Sequence, residues 1–264
     1  MDYYNGEGNL GLLADDEIYT YDNNGNIATI TSGTNTMQYY YDELNQLMRE
    51  NNPFIGTSGK TVIYIYNRGG NIENKKEYAF TAGTTTPTTL LDAIDYSYDS
   101  VWKDKLASYD GDAITYDSIG NPLTFDGWNY DWKWGKRLDT AENTSEGIST
   151  TYKYNDSGIR TYKQVTTASG VTTYNYNLMG DKIIYEQRTG TNACDMYYAY
   201  DNDGKLYGLY YNGTFYFYKR NVQGDIIGIL NTSGTEATVM PPAHIRLLSP
   251  GFFCISPLLF KFPS

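Results

Sequence analysis

Three features of the sequence predict an all-β protein built as a curved antiparallel sheet of consecutive hairpins. A short turn pattern recurs along most of the chain, aromatic residues stand in pairs two positions apart just ahead of it, and no long stretch carries helical periodicity. Composition agrees with this. The 264 residues include 29 Tyr against 9 Phe and 4 Trp, with 26 Gly. Tyr and Thr favour half-buried strands, whereas Gly, Asn and Asp favour the turns that join them. With 40% hydrophobic residues the chain can bury a sizeable core.

The turn pattern reads Tyr, then Asp or Asn, two free positions, Gly or Asn, and an aliphatic residue close behind. It begins at Tyr21 (YDNNGNI), Tyr41 (YDELNQL), Tyr66 (YNRGGNI), Tyr116 (YDSIGNPL), Tyr154 (YNDSGI), Tyr176 (YNLMGDKI) and Tyr200 (YDNDGKL). The step from Tyr21 to Tyr41 is 20 residues and that from Tyr176 to Tyr200 is 24, lengths suited to one hairpin per unit. A variant from Tyr98, YDSVWKDKL, lengthens the loop.

Each position has a physical role. Asp22, Asp42, Asp117 and Asp201 stand first in a tight turn, where a short carboxylate accepts hydrogen bonds from amides two residues on. Gly25, Gly70, Gly120, Gly158, Gly180 and Gly204, with Asn45 in the second unit, supply the positive φ that closes a hairpin. A second aromatic two residues before the tyrosine, as in Tyr39/Tyr41, Tyr64/Tyr66 and Tyr198/Tyr200, puts two rings on one face of a strand. Trp128, Tyr130, Trp132 and Trp134 repeat that alternation with Trp, and Phe215 to Tyr218 with Phe, so both segments are predicted strands. The Thr-rich stretch from Thr81 to Thr89, and Thr140 to Gly147, are predicted exposed loops.

Charge and cysteine usage narrow the functions. With 31 acidic against 20 basic residues, net charge −11 and pI near 4.5, the surface is expected to repel phosphate backbones, and no nucleic-acid partner is expected. Cys194 and Cys254 are too few for a disulfide framework and lie in no metal-ligand spacing. The first residues lack the basic start and apolar run of a signal peptide. The longest apolar run, Phe252 to Phe260, is broken by Ser256 and Pro257 and is far short of the roughly 20 residues a membrane helix needs, so no membrane span is expected.

Candidate chemistry is sparse. His244 is the only histidine, and no nucleophile motif accompanies it. Cys194 reads as a passive thiol. Asp201-Asn202-Asp203-Gly204 opens like a calcium loop, but the twelfth position, where a bidentate Glu belongs, holds Asn212; a hairpin turn explains the run without metal. The glycines at 25 and 69–70 precede strands rather than helices and make no phosphate cradle. No catalytic, cofactor-binding or metal-ligating residue is assigned, no cofactor is expected, and the chain is read as no enzyme. Trp128, Tyr130, Trp132 and Trp134 would form a carbohydrate platform if exposed; lining of the core or shell is the favoured alternative.

The units YDNNGNI, YDELNQLMRE and YDSIGNPLTFDGWNYDWKWGKRL resemble the YD or Rhs repeats of bacterial polymorphic toxins and wall-associated proteins, related to the shells of teneurins and insecticidal toxin complexes. The segment FYFYKRNVQGDIIGIL, Phe215 to Leu230, is similar to the stretch that precedes the Rhs core in those proteins. The resemblance implies a ribbon of hairpins spiralling into a hollow shell, of which this chain is an incomplete section. It departs from the family in lacking the core's Asp-Pro and Gly-Arg-Phe elements and its self-cleavage.

The expected organisation is a lead-in at 1–18, a repeat region at 19–239 and an atypical tail at 240–264, without Tyr or Asp, that is non-native or poorly ordered through a shifted frame or a fragment junction. The resemblance implies a structural shell segment of an exported, secreted or cell-surface protein, partnered by the rest of the shell and a C-terminal toxin. A module binding cell-wall polysaccharide through exposed aromatics is the alternative. Unpaired edge strands are expected to drive self-association.

Overall fold

The computed structural model describes residues 17–191 and 193–237, and beyond them only the strand backbones Arg246–Leu248 and Phe252–Cys254. The lead-in and the tail, His244 included, therefore lie almost wholly outside the described residues. Within the described residues the chain is strands, turns and bends, with no helix.

The first nine strands are β1 (Ile18–Tyr21), β2 (Ile27–Ser32), β3 (Asn35–Tyr41), β4 (Leu47–Asn52), β5 (Lys60–Tyr66), β6 (Ile72–Ala79), β7 (Leu90–Tyr98), β8 (Leu106–Tyr109) and β9 (Asp112–Ala113). They form one sheet in chain order. The next twelve are β10 (Thr115–Tyr116), β11 (Pro122–Phe125), β12 (Trp128–Lys133), β13 (Arg137–Asn143), β14 (Ile148–Tyr154), β15 (Arg160–Thr167), β16 (Gly170–Met179), β17 (Lys182–Gly190), β18 (Cys194–Tyr200), β19 (Leu206–Tyr211), β20 (Thr214–Arg220) and β21 (Ile226–Leu230). They form a second sheet, again in chain order. β22 (Arg246–Leu248) pairs only with β23 (Phe252–Cys254). The chain divides near Asp112 into two compact units, one for each large sheet.

Each large sheet is an open antiparallel meander in which every strand pairs with its sequence neighbours. Alternation along the strands sorts the side chains. In β12, Trp128 and Tyr130 are buried while Asn129, Asp131 and Lys133 are exposed. The buried face of the twelve-stranded sheet continues through Ala141, Tyr152, Tyr176, Met196, Leu209 and Ile229. In the nine-stranded sheet Met37 and Val62 are buried beside Glu50 and Asn52, and Lys60 and Lys75 both reach the Glu77 carboxylate, the latter at 2.7 Å.

Two loop expectations change. Residues 81–89 do present mostly exposed side chains, yet their backbone is pinned as a strap across the nine-stranded sheet. Arg49 donates Nη2 to the Thr81 carbonyl and Nη1 to that of Thr85, each at 2.9 Å. Asn51 Nδ2 donates to the Gly83 carbonyl at 2.9 Å, and the Gly83 amide donates to Gln38 Oε1 at 2.8 Å. Arg49 and Asn51 are buried beneath it, and buried polar groups require such partners. The second loop is shorter than predicted: Thr140 to Asn143 belong to β13, and Thr140 pairs with Asp131 and Thr151.

Candidate functional site

The recurrent turns are built alike. In the first, the Gly25 amide donates to the Asp22 carbonyl at 3.1 Å, and the Asp22 amide donates to that of Asn26 at 2.9 Å. Asp22 Oδ1 accepts the Asn24 and Asn26 amides, both at 2.9 Å. The Asn26 side-chain amide on Oδ2 is the main cause that holds the Asp22 carboxyl below its ordinary value, with backbone amides adding to it. Gly25 sits at φ +86° and Asn45, its counterpart in the second unit, at +60°. The same backbone pair of hydrogen bonds closes turns that start at Asp42, Asn67, Asp117, Asn155 and Asp201.

Turns at Asn221 and Asn231 have this construction as well and escaped the sequence reading, because Arg220 and Leu230 stand where the tyrosine was sought. Asn-x-x-Gly alone was the signal that could have found them. The Tyr98 unit closes a longer loop, with the Asp99 amide donating to the Lys105 carbonyl at 2.9 Å. The Tyr176 unit departs from expectation. Asn177 stays in β16 opposite Tyr185, and a two-residue turn of Gly180 and Asp181 joins Met179 to Lys182. Gly180, at φ +65°, takes the first central position where such a turn accepts glycine, so the hairpin closes later than the motif predicts.

A second regularity accompanies the turns. The ladder register shifts just before Tyr21, Tyr41, Tyr66, Tyr98, Tyr116, Tyr154 and Tyr200, so the return strand carries one extra residue, a β-bulge. Five of these phenols bond backward to the preceding hairpin. Tyr41 Oη donates to the Ile27 carbonyl at 3.1 Å, Tyr66 to Leu47 at 2.8 Å, Tyr98 to Ile72 at 2.7 Å, Tyr154 to Leu138 at 2.9 Å and Tyr200 to Ile183 at 2.9 Å. In each case the acceptor lies two residues beyond the last residue that its strand pairs with the tyrosine's own strand, such as Thr29 for Ile27 and Tyr185 for Ile183. The phenol thus completes a carbonyl that the frayed ladder leaves open.

Two other residue types take over this stitch. Trp132 Nε1 donates to the Pro122 carbonyl at 2.6 Å, and Arg220 Nη2 to that of Leu206 at 2.6 Å. Both stand at the register-shift position that tyrosine occupies elsewhere. Neighbouring turns touch along the same edge: Asn24 and Asn26 both donate to Asn45 Oδ1 at 2.9 Å, and Asn121 Nδ2 donates to the Gly135 carbonyl at 2.7 Å.

The four aromatics considered as a sugar platform do not share one exposed face. Trp128 and Tyr130 are buried, Trp132 spends its N–H on the stitch, and Trp134 lies in the turn, 74% exposed and 5.6 Å from the Arg137 guanidinium. Exposed and half-buried rings gather elsewhere. Tyr185, Tyr197 and Tyr210 run across three strands with centroids 4.7 and 6.5 Å apart, and Tyr207, Phe215 and Phe217 continue the row. Sequence alternation alone could not tell which face would be covered.

The remaining candidates have structural partners. Asp201 Oδ1 accepts the Lys205 amide at 2.7 Å as part of its turn. Burial pushes the Cys194 thiol up, away from the thiolate a nucleophile needs. Among the described residues no group of three His, Cys, Asp or Glu side chains is arranged to hold a metal ion.

No family model matches the chain. Over 197 residues it is 31% identical to the tRNA3(Ser)-specific nuclease WapA of Bacillus spizizenii, and equally to the tRNA nuclease WapA of Bacillus subtilis. The match covers 74% of this chain, which spans 8% of the length of either relative. Among solved structures the chain is similar to TcdB2-TccC3, alone and with Cdc42, at 13% identity and a TM-score of 0.38, covering 83% of this chain and 15% of that one.

Proposed function

We propose that this chain is a stretch of the hairpin wall of an Rhs-related protein, a structural segment without catalysis of its own, whose exported parent encloses or presents a C-terminal toxin. The 31% identity to the WapA nucleases supports the Rhs-related family. One observation carries the structural reading: the repeat turns close on themselves, and at seven positions, Tyr41, Tyr66, Tyr98, Trp132, Tyr154, Tyr200 and Arg220, a side chain stitches back to a carbonyl of the strand before. Such a device extends a sheet by repetition.

The rest of the parent's shell and its toxin are the partners of this stretch. Electron cryomicroscopy of the whole parent polypeptide tests the reading. A hollow wall of hairpins with density inside is the expected image, and a solid body in which these strands line a substrate cleft would overturn it. Incubation of this chain with total tRNA separates wall from nuclease: intact tRNA is expected, and cleavage abolished by a point substitution within the chain would refute a purely structural role.

A further inference from the structure

On the buried face of the twelve-stranded sheet, Tyr152, Lys163, Tyr174 and Arg188 stand directly opposite one another across β14 to β17. Aromatic and cation alternate. Lys163 Nζ lies 5.0 Å and the Arg188 guanidinium 4.8 Å from the Tyr174 ring centroid, and the Arg160 guanidinium lies 4.7 Å from that of Tyr152. Three cations therefore gather beside the carboxylate of Glu186, which forms its ion pair with Arg188. Arg188 Nε donates to Glu186 Oε1 at 2.5 Å, and Tyr198 Oη donates to its Oε2 at 2.7 Å, so both carboxylate oxygens are engaged.

The positive charge left over is buried. Lys163 and Arg188 are 4% and 2% exposed, and Lys163 forms no ion pair among the described residues. Arg188 Nη2 and Arg160 Nε are buried without a hydrogen-bond partner. A buried donor without a partner is costly, and a cation more so. The excess runs against a chain of net charge −11, so it is a local feature rather than a general basic surface. Arg160 and Tyr174 are only half-buried and give the cluster a route to solvent.

We propose that Arg160, Lys163 and Arg188 form an oxyanion-binding site, taking a carboxylate or a phosphate that satisfies the open guanidinium donors and neutralises the excess charge. Guanidinium groups suit such ligands because their planar N–H donors match paired oxygens. The aromatic rings between the cations hold them apart and in place, so the site is organised before the anion arrives. The Glu186 carboxylate is engaged by Arg188 Nε and Tyr198 Oη, and Arg188 Nη2 stays open for the ligand.

The test is thermal unfolding of the full chain at pH 7 in sodium phosphate, sodium acetate and sodium chloride at matched ionic strength. Phosphate or acetate should raise Tm saturably by roughly 2–4 °C over chloride. Arg160→Gln should abolish the difference while remaining folded, since Arg160 is half-buried and outside the Glu186 pair. Should that variant fail to fold, NMR titration of the Lys163 ammonium in the unaltered protein decides: the anion should raise its pKa, and chloride should not. A response to acetate without phosphate assigns a carboxylate, the reverse a phosphate. Equal Tm in all three salts with an unmoved Lys163 titration would overturn the proposal.

Discussion

Tyr66 Oη and the Leu47 carbonyl meet at 2.8 Å, joining the end of β5 to the start of β4 where the ladder between these strands has already stopped at Arg49 and Ile63. Tyrosine in this repeat is therefore more than an apolar strand former. Its ring packs on the sheet and its hydroxyl closes the gap that the turn and bulge create. This explains why tryptophan and arginine, which also carry a donor at the end of a long side chain, stand in for it at Trp132 and Arg220.

Removing the hydroxyl while keeping the ring isolates that bond. Tyr154→Phe and Tyr200→Phe should each lower unfolding stability by about 1 kcal/mol. The two sites share no partner, so the double variant should lose the sum, about 2 kcal/mol. Urea denaturation followed by tyrosine fluorescence measures it, and an unchanged midpoint for both variants would mean the stitch is incidental.

Turns outside the tyrosine pattern should matter as much as those within it. Asn221→Ala removes the Oδ1 that accepts the Asp225 amide at 2.8 Å and should cost about 1 kcal/mol, with faster amide exchange confined to β20 and β21. Exchange that accelerates evenly across the sheet would contradict local turn closure.

Alkaline pH should first strengthen and then weaken the fold. Burial chiefly, helped by Arg160 and Arg188, lowers Lys163 to about 8. Below that value Lys163 is charged folded or unfolded and its burial penalty is felt in full. From about pH 8 towards the unfolded lysine value near 10.4 the native protein has released a proton that the unfolded chain keeps, so stability rises. Above about pH 10 unfolded tyrosines ionise while folded ones such as the half-buried Tyr96, raised to about 12 mainly by desolvation, stay neutral, and stability falls. Denaturation midpoints between pH 7 and 11 should pass through a maximum, and Lys163→Met should remove the rising limb.

The isolated chain should self-associate. Tyr197 is 52% exposed and Phe217 41%, within a continuous aromatic row, and both sheets are open. Light scattering should show mass rising with concentration, and Tyr197→Ser with Phe217→Ser should reduce it. A monodisperse monomer at high concentration would count against this.

Sequence by itself determined the all-β class, the hairpin order and most of the turn sites, because these depend on local physics: strand period, an acidic or amide residue at the first turn position, and a residue tolerant of positive φ. Only the tertiary structure decided what those residues touch. The backward bond of Tyr200 to Ile183, the docking of the strap on Arg49 and Asn51, the burial of Trp128 and the gathering of Arg160, Lys163 and Arg188 all join residues from different strands or loops. Such pairings follow from register, and a bulge of one residue changes which carbonyl lies within reach of a side chain. The late turn at Gly180 shows the same limit: a matching motif proposes where a hairpin can close, and the pairing of β16 with β17 decides where it does.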